Sequence, residues 1–327
     1  MADFCVSFNY TYPTLRFISD DAPVGFNMTD FCEWLIKMKE ETTRPSLVIP
    51  LSNETFADIE WKDCMYDFEN GLYCFRLKKL RSKNIPAFTG KNVDSTDIVL
   101  EENQFLGEFN LLVFDPHIGK LIVQSNYFGL SIKQIETALT QMRLKYFESK
   151  GEYVDSNDPG FVKLEFLVDP KEITSLRESD IYRSINLRVA DISRLATMQI
   201  KSTTLNKAVE LANDMEGIAV TIQVSLSHEP KARSLNNVEM NELIEDIEKL
   251  NINQNEGTKL SVKARNSIES PLENIDVLLP KLTSTVVLHD MGRATLGMEY
   301  LYTQFKEQNY FSEEQHMQRR AKLLSPA

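Results

Sequence analysis

Asp214, Glu229 and Lys231 are the residues of this 327-residue chain whose types and spacing come nearest to a catalytic set. A strand-like run separates the aspartate from a Glu-Pro-Lys triplet. Restriction-type nucleases pair an Asp with a Glu-x-Lys in this way: two carboxylates hold one or two Mg2+ ions, and the lysine orients the attacking water or stabilises charge. That triplet normally lies within a strand, however, and Pro230 breaks the ladder at its central position. A strand-to-loop turn is the plainer reading. Mg2+ is implied only by the nuclease alternative, and no other cofactor or metal is expected.

Positive charge concentrates at Arg76, Lys78, Lys79, Arg81 and Lys83, in a chain with 36 Lys plus Arg against 48 Asp plus Glu and a net charge of -12. Along a strand, Arg76 and Lys78 share one face while Lys79 and Arg81 share the other. The stretch could hold a phosphate backbone, a nucleotide or an acidic partner. A charged edge strand, guarded by lysine against pairing, explains it equally well. Nucleic-acid binding is expected to be weak, because tight binding relies on many cations releasing condensed counterions. Lys231 and Arg233 form a second, smaller basic group in the polar loop 228–236, at a strand exit where α/β folds often place ligands. A solvated loop is again the plainer reading.

Common enzyme classes are disfavoured by what the motifs lack. The four histidines form no H-x-x-x-H or H-E-x-x-H pair, and Cys5, Cys32, Cys64 and Cys74 form no C-x-x-C. Small buried hydrophobes are the simplest role for those thiols. No G-x-S-x-G elbow, P-loop or dinucleotide fingerprint occurs. No run of about 18 apolar residues is present, and the first residues lack the basic-then-apolar order of a signal peptide. The expectation is a cytoplasmic protein without membrane insertion.

The elements that must position these residues follow from periodicity. Phe4, Val6, Phe8 and Tyr10 alternate as a half-buried strand, and a helix begins at Thr29. Asn70 and Gly71 mark a hairpin turn, and Asp115 to Gly119 marks another between strands at 109–113 and 121–123. Ser131 caps a helix carrying Ile132, Ile135, Leu139 and Met142. Turn formers between 148 and 160 place a domain boundary there. Beyond it, strands alternate with helices at 203–215, closed by Gly217, and at 236–251, whose acid row Glu239, Glu242, Glu245, Asp246 and Glu248 reads as a solvated face. The alternating run 218–227 is expected to be a central strand, 259–265 and 285–288 to be further strands, and 294–322 to be helical. The fold class is therefore α+β: a strand-rich N-terminal domain, 1–150, followed by a C-terminal domain, 151–327, with a mixed sheet covered by helices and a helical tail.

Gly71-Leu-Tyr-Cys-Phe-Arg-Leu-Lys-Lys-Leu-Arg81, Asn84-Ile-Pro86, Glu101-Glu102, Gly107 to Asp115, Leu121 to Asn126 and Gly129-Leu-Ser131 occur in an order that resembles an uncharacterised bacterial family of about this length. Its members are domains of unknown function, some from mobile-element or phage-defence gene neighbourhoods. The resemblance covers mainly residues 70–147, with a weaker echo from Asp276. It carries over Arg81, Gln124, Asn126 and Gly129. These residues could line a polar pocket, with Arg81 approaching across the sheet, or satisfy backbone groups at a buried turn, which is the favoured reading.

The resulting expectation is a noncatalytic interaction protein or sensor, a component of an antiviral-defence or mobile-element conflict system, acting through a protein partner encoded nearby. Homo-oligomerisation is compatible with it. A Mg-dependent nuclease, or a nucleic-acid-binding effector using Arg76 to Lys83, is the alternative.

Overall fold

A computed structural model describes the chain from Phe4 to Pro326, apart from residues 21, 53, 82, 84–86, 91–92, 102–103, 156, 170–175, 190–191, 193–194, 196–198, 228, 251–258, 266, 270–271, 278–280 and 290–295. Asn84 to Pro86, Glu102 and His228 therefore lie outside the described residues.

Alternation of apolar and polar residues builds most of the strands. In order they are β1 (Phe4–Arg16), β2 (Val24–Gly25), β3 (Ile49–Ser52), β4 (Thr55–Ile59), β5 (Met65–Asp67), β6 (Leu72–Arg81), β7 (Phe88–Gly90), β8 (Val93–Thr96), β9 (Leu106–Asp115), β10 (Lys120–Ser125), β11 (Phe161–Phe166), β12 (Ile181–Val189), β13 (Val220–Ser225), β14 (Lys259–Arg265), β15 (Glu273–Asp276) and β16 (Thr283–Leu288). The helices are α1 (Thr29–Glu40), α2 (Ile132–Lys150), α3 (Thr203–Asp214), α4 (Asn237–Leu250), α5 (Met298–Phe305), which runs on as a π turn over Lys306–Tyr310, and α6 (Met317–Leu323). The expected helix over 294–322 is thus interrupted at 311–316.

The fold is mixed α/β with a large antiparallel sheet, a smaller four-stranded one and a two-stranded β7–β8 ribbon. Every described strand pairing is antiparallel, so the expected mixed sheet is not what forms. Two units divide the chain: one comprises residues 1–167 and 282–327, the other Val168 to Lys281. The polar segment 148–160 stays inside the first unit, where Asp158 accepts the backbone N–H groups of Ile18 (2.7 Å) and Ser19 (3.0 Å). The chain returns to the first unit because β16 pairs with β1, from Phe4 with Leu288 to Asn9 with Thr283.

In the first unit the main path runs β11-β1-β10-β9-β6-β4-β3. Because side chains alternate across a strand, each face buries its own core. Phe75, Leu77, Leu112, Phe114, Leu121 and Val123 pack against α1 and α2. Val6, Phe8, Tyr10, Leu111, Val113 and Ile122 pack against α5 and α6. Two buried carboxylates fasten that second layer. Asp67 accepts Tyr302 Oη at 2.7 Å and Lys306 Nζ at 2.6 Å, and Asp115 accepts Tyr310 Oη at 2.8 Å and Gln318 Nε2 at 3.1 Å.

In the second unit the order is β13-β12-β14-β15, with Leu205 and Val209 of α3 and Met240, Leu243, Ile244 and Ile247 of α4 in the core. The run 218–227 is not central. β13 is an edge strand, and Ile218 is 75% exposed. The acid row of α4 is not simply solvated either: Asp246 is fully buried and accepts the N–H groups of Lys201 and Ser202, while Glu239 accepts Ser202 Oγ, Thr203 Oγ1 and the Thr204 N–H. These carboxylates serve the orphan donors at the start of α3. At its other end the left-handed residue is Glu216, φ 53°, rather than Gly217, whose N–H reaches back to Ala212 O at 2.7 Å.

A candidate binding cleft where β10 ends

Asn110, Gln124 and Asn126 control how β9 and β10 part. The hairpin is regular from Lys120 opposite Asp115 to Val123 opposite Leu112, then strand pairing stops. From there side chains take over the ladder. Gln124 Oε1 accepts the Leu111 N–H (2.9 Å), Asn126 Nδ2 donates to Phe109 O (2.9 Å), and Asn110 Nδ2 donates to Gln124 O (3.0 Å). Asn126 Oδ1 also accepts the Phe128 N–H, which turns the chain out of the sheet. Gln124 and Asn126 thus satisfy backbone groups at this turn and also line the cleft beside it.

The parted strands leave a cleft of about 640 Å³, lined by Phe4 to Ser7 of β1, Gly107 to Phe109 of β9, Gln124 to Phe128, Arg76, Leu296 and Leu301. Its rim is aromatic. Tyr127 is 93%, Phe128 58% and Phe4 54% exposed, and the Tyr127 and Phe128 rings meet edge to face at 5.2 Å.

The cations of β6 are mostly engaged within the protein. Arg76 is buried, bonds Asp63 at 2.5 Å and Leu296 O at 3.1 Å, and lies 4.4 Å over the Phe109 ring. Lys78 pairs with Asp58 (2.9 Å), Lys83 pairs with Glu54, and Lys79 donates to Gly129 O at 3.1 Å. Lys79, rather than Arg81, is the cation that meets the Gly129 turn. Arg81 is half-buried, and its Nε has no hydrogen-bond partner among the described residues. Nor is β6 an edge strand, since it runs between β9 and β4. Arg76 and its neighbours thus hold segments of their own fold in place.

Among the described residues no hydrogen bond or ion pair joins Asp214 to Glu229 or Lys231. Asp214 ends α3 beside the start of β13, whereas Glu229 and Lys231 follow that strand's far end. Six extended residues put about 17 Å between those ends. Glu229 is ion-paired with Arg233 at 2.8 Å. The loop around them is organised by Arg183, whose guanidinium donates to the carbonyls of Ser227, Glu229, Pro230 and Arg233. Among the described residues no three His, Cys, Asp or Glu side chains gather as a metal site.

Sequence reasoning missed Asn110, Tyr127, Phe128 and Arg183. An Asn in phase with the apolar Leu112 and Phe114, and two adjacent aromatics before a glycine, were the available signals for the first three. Arg183 had none, because its partners lie more than forty residues away.

No helix among the described residues is long and apolar enough to cross a membrane. No curated protein matches the chain in sequence. A family model matches residues 4–320, a span that takes in both units and every residue of the cleft, and the chain therefore belongs to the family of unknown function DUF6731.

Proposed function

We propose that this protein is a noncatalytic interaction module that works by binding a protein partner through the aromatic rim of the cleft. The observation that carries this reading is the exposure of Tyr127, Phe128 and Phe4 around a concave site in which Arg76, Gln124 and Asn126 already have internal partners. Aromatic side chains add large contact area at low entropic cost, and exposed ones grouped at a cleft favour a macromolecular contact over solvent. Cytoplasmic action in an antiviral or mobile-element conflict system, with the partner encoded nearby, is the setting that the family resemblance suggests. The nuclease alternative is weakened by the separation of Asp214 from Glu229 along β13.

The test is affinity capture of the full chain expressed with its neighbouring genes, comparing wild type with a Tyr127→Ser, Phe128→Ser double variant by quantitative mass spectrometry. A neighbour-encoded protein recovered in near-stoichiometric amount with wild type and lost with the variant is the expected result. Equal recovery with both would overturn the assignment of the rim.

A further inference from the structure

β10 is shorter than the two strands it joins. It pairs with β1 only from Ser7 opposite Ser125 onward, and with β9 only from Leu112 onward. β1 continues outward to Phe4 along β16, and β9 continues outward to Leu106 along β6. Beyond Ser125 the two outer strands therefore flank the place that a longer β10 would occupy. With strands about 4.8 Å apart, that gap is about 9.6 Å across, the width of one strand.

The backbone groups facing the gap follow from alternation. On β1, Ser7, Asn9 and Thr11 are the register partners of alternate β10 residues, while Tyr10 bonds Leu282 and Leu167 on the opposite side. The N–H and C=O of Cys5 therefore point into the gap. On β9 the groups of Phe109 and Leu111 point there, as their bonds to Asn126 and Gln124 require, and those of Gly107 do so by the same phase. Asn126 occupies Phe109 O. No described strand pairs with Cys5, Gly107 or the Phe109 N–H on this side, and Cys5 and Gly107 are exposed. Val6, Phe109, Leu296 and Leu301 line one face of the gap.

We infer that the cleft is a strand-addition site: a short extended segment of the partner continues β10, bonding Cys5 on one side and Gly107 and Phe109 on the other. Its residue on the α5 side is aliphatic, set against Val6, Phe109 and Leu301. This rests on the partner-binding reading above and gives the partner a backbone chemistry as well as a surface. The occupant is a β-strand rather than a helix, because the facing donors and acceptors have strand spacing and the gap admits one strand.

The probe is a set of heptapeptides selected on the full chain from a random phage-displayed library, then resynthesised with single backbone N-methyl groups. N-methylation is expected to weaken binding about tenfold at alternate positions and little at those between. Bound peptide should slow amide exchange at Cys5 and Gly107 and slow thiol labelling of Cys5. Gly107→Pro removes an N–H facing the gap and leaves the β6 ladder its partners, so it should lower affinity about tenfold. If that variant fails to fold, the N-methyl pattern on wild type decides. Failure to select any peptide, or binding without the alternating pattern, would overturn strand addition. The partner reading itself would still stand if capture of the natural partner depended on Tyr127 and Phe128, and would fall separately if it did not.

Discussion

Asn110 pairs with Leu130 as a neighbouring strand would: its Oδ1 accepts the Leu130 N–H at 2.7 Å and its Nδ2 donates to the Leu130 carbonyl at 3.3 Å. A buried side-chain amide thereby stands in for a ladder and fixes the turn that carries Tyr127 and Phe128. A Cβ at Gly129 would collide with Asn110 Oδ1, which explains glycine at that position. Asn110→Ala should destabilise the protein by about 3 kcal/mol, because it leaves buried backbone groups unpaired. Asn110→Asp should cost at least as much, because it buries a carboxylate oxygen against the Gln124 and Leu130 carbonyls that the amide now donates to. Urea unfolding of the three proteins checks the order.

Cys5 is the exposed thiol of the four, while Cys32, Cys64 and Cys74 are buried. Burial pushes the Cys64 thiol up to about 12 and raises those of Cys32 and Cys74 as well. Since the thiolate is the reactive form, a disulfide reagent should titrate one thiol per native chain quickly and the other three only on unfolding. The Cys5→Ser variant should leave the fast phase empty.

Glu239 provides a pH signature for the second unit. Burial opposes its ionisation, but hydrogen bonds from the Thr204 N–H and the Ser202 and Thr203 hydroxyls outweigh that and bring it from the ordinary 4.5 down to about 2. A depressed carboxyl contributes stability that is fully present above 4.5 and is lost as pH falls toward 2. Glu239→Gln should therefore be less stable than wild type above pH 4.5, with the gap closing across that interval, as read from urea midpoints at successive pH values.

Arg183 donates to carbonyls at 2.8 Å (Glu229 and Pro230), 3.0 Å (Arg233) and 3.3 Å (Ser227), so it holds the 227–233 loop against β12. Arg183→Ala should cost about 2–3 kcal/mol. Arg183→Lys should rescue little, since a single ammonium lacks the planar fork that reaches all of these acceptors. Faster amide exchange at Leu226 and Arg233, whose N–H groups are bonded in the native loop, reports the loosening.

Local chemistry was legible where neighbours in sequence decide it. Asn70 and Gly71 make the β5–β6 turn with Gly71 at φ 69°, Ser131 caps α2 through Gln134, and the alternation at 259–265 is β14 residue for residue. Partners distant in sequence were not legible. The alternation at 218–227 specifies one buried face but not how many strands flank it, so an edge strand and a central one read alike. The cations of β6 looked available because Asp58, Glu60 and Asp63, which engage Arg76 and Lys78, come from a separate segment. The pairing of β16 with β1, which returns the chain to the first unit, has no periodic signal at all.

The most direct test of the account is the affinity of the purified, neighbour-encoded partner for three forms of the full chain, measured by calorimetry over a salt series. Tyr127→Ser with Phe128→Ser should weaken binding by about a hundredfold, as expected for losing two aromatic anchors, and Arg81→Glu with Lys83→Glu should change it by less than about threefold, as expected for cations outside the contact. Binding that survives loss of the aromatics, disappears with the charge reversals and falls steeply with salt would contradict the account, placing the contact on the basic strand instead.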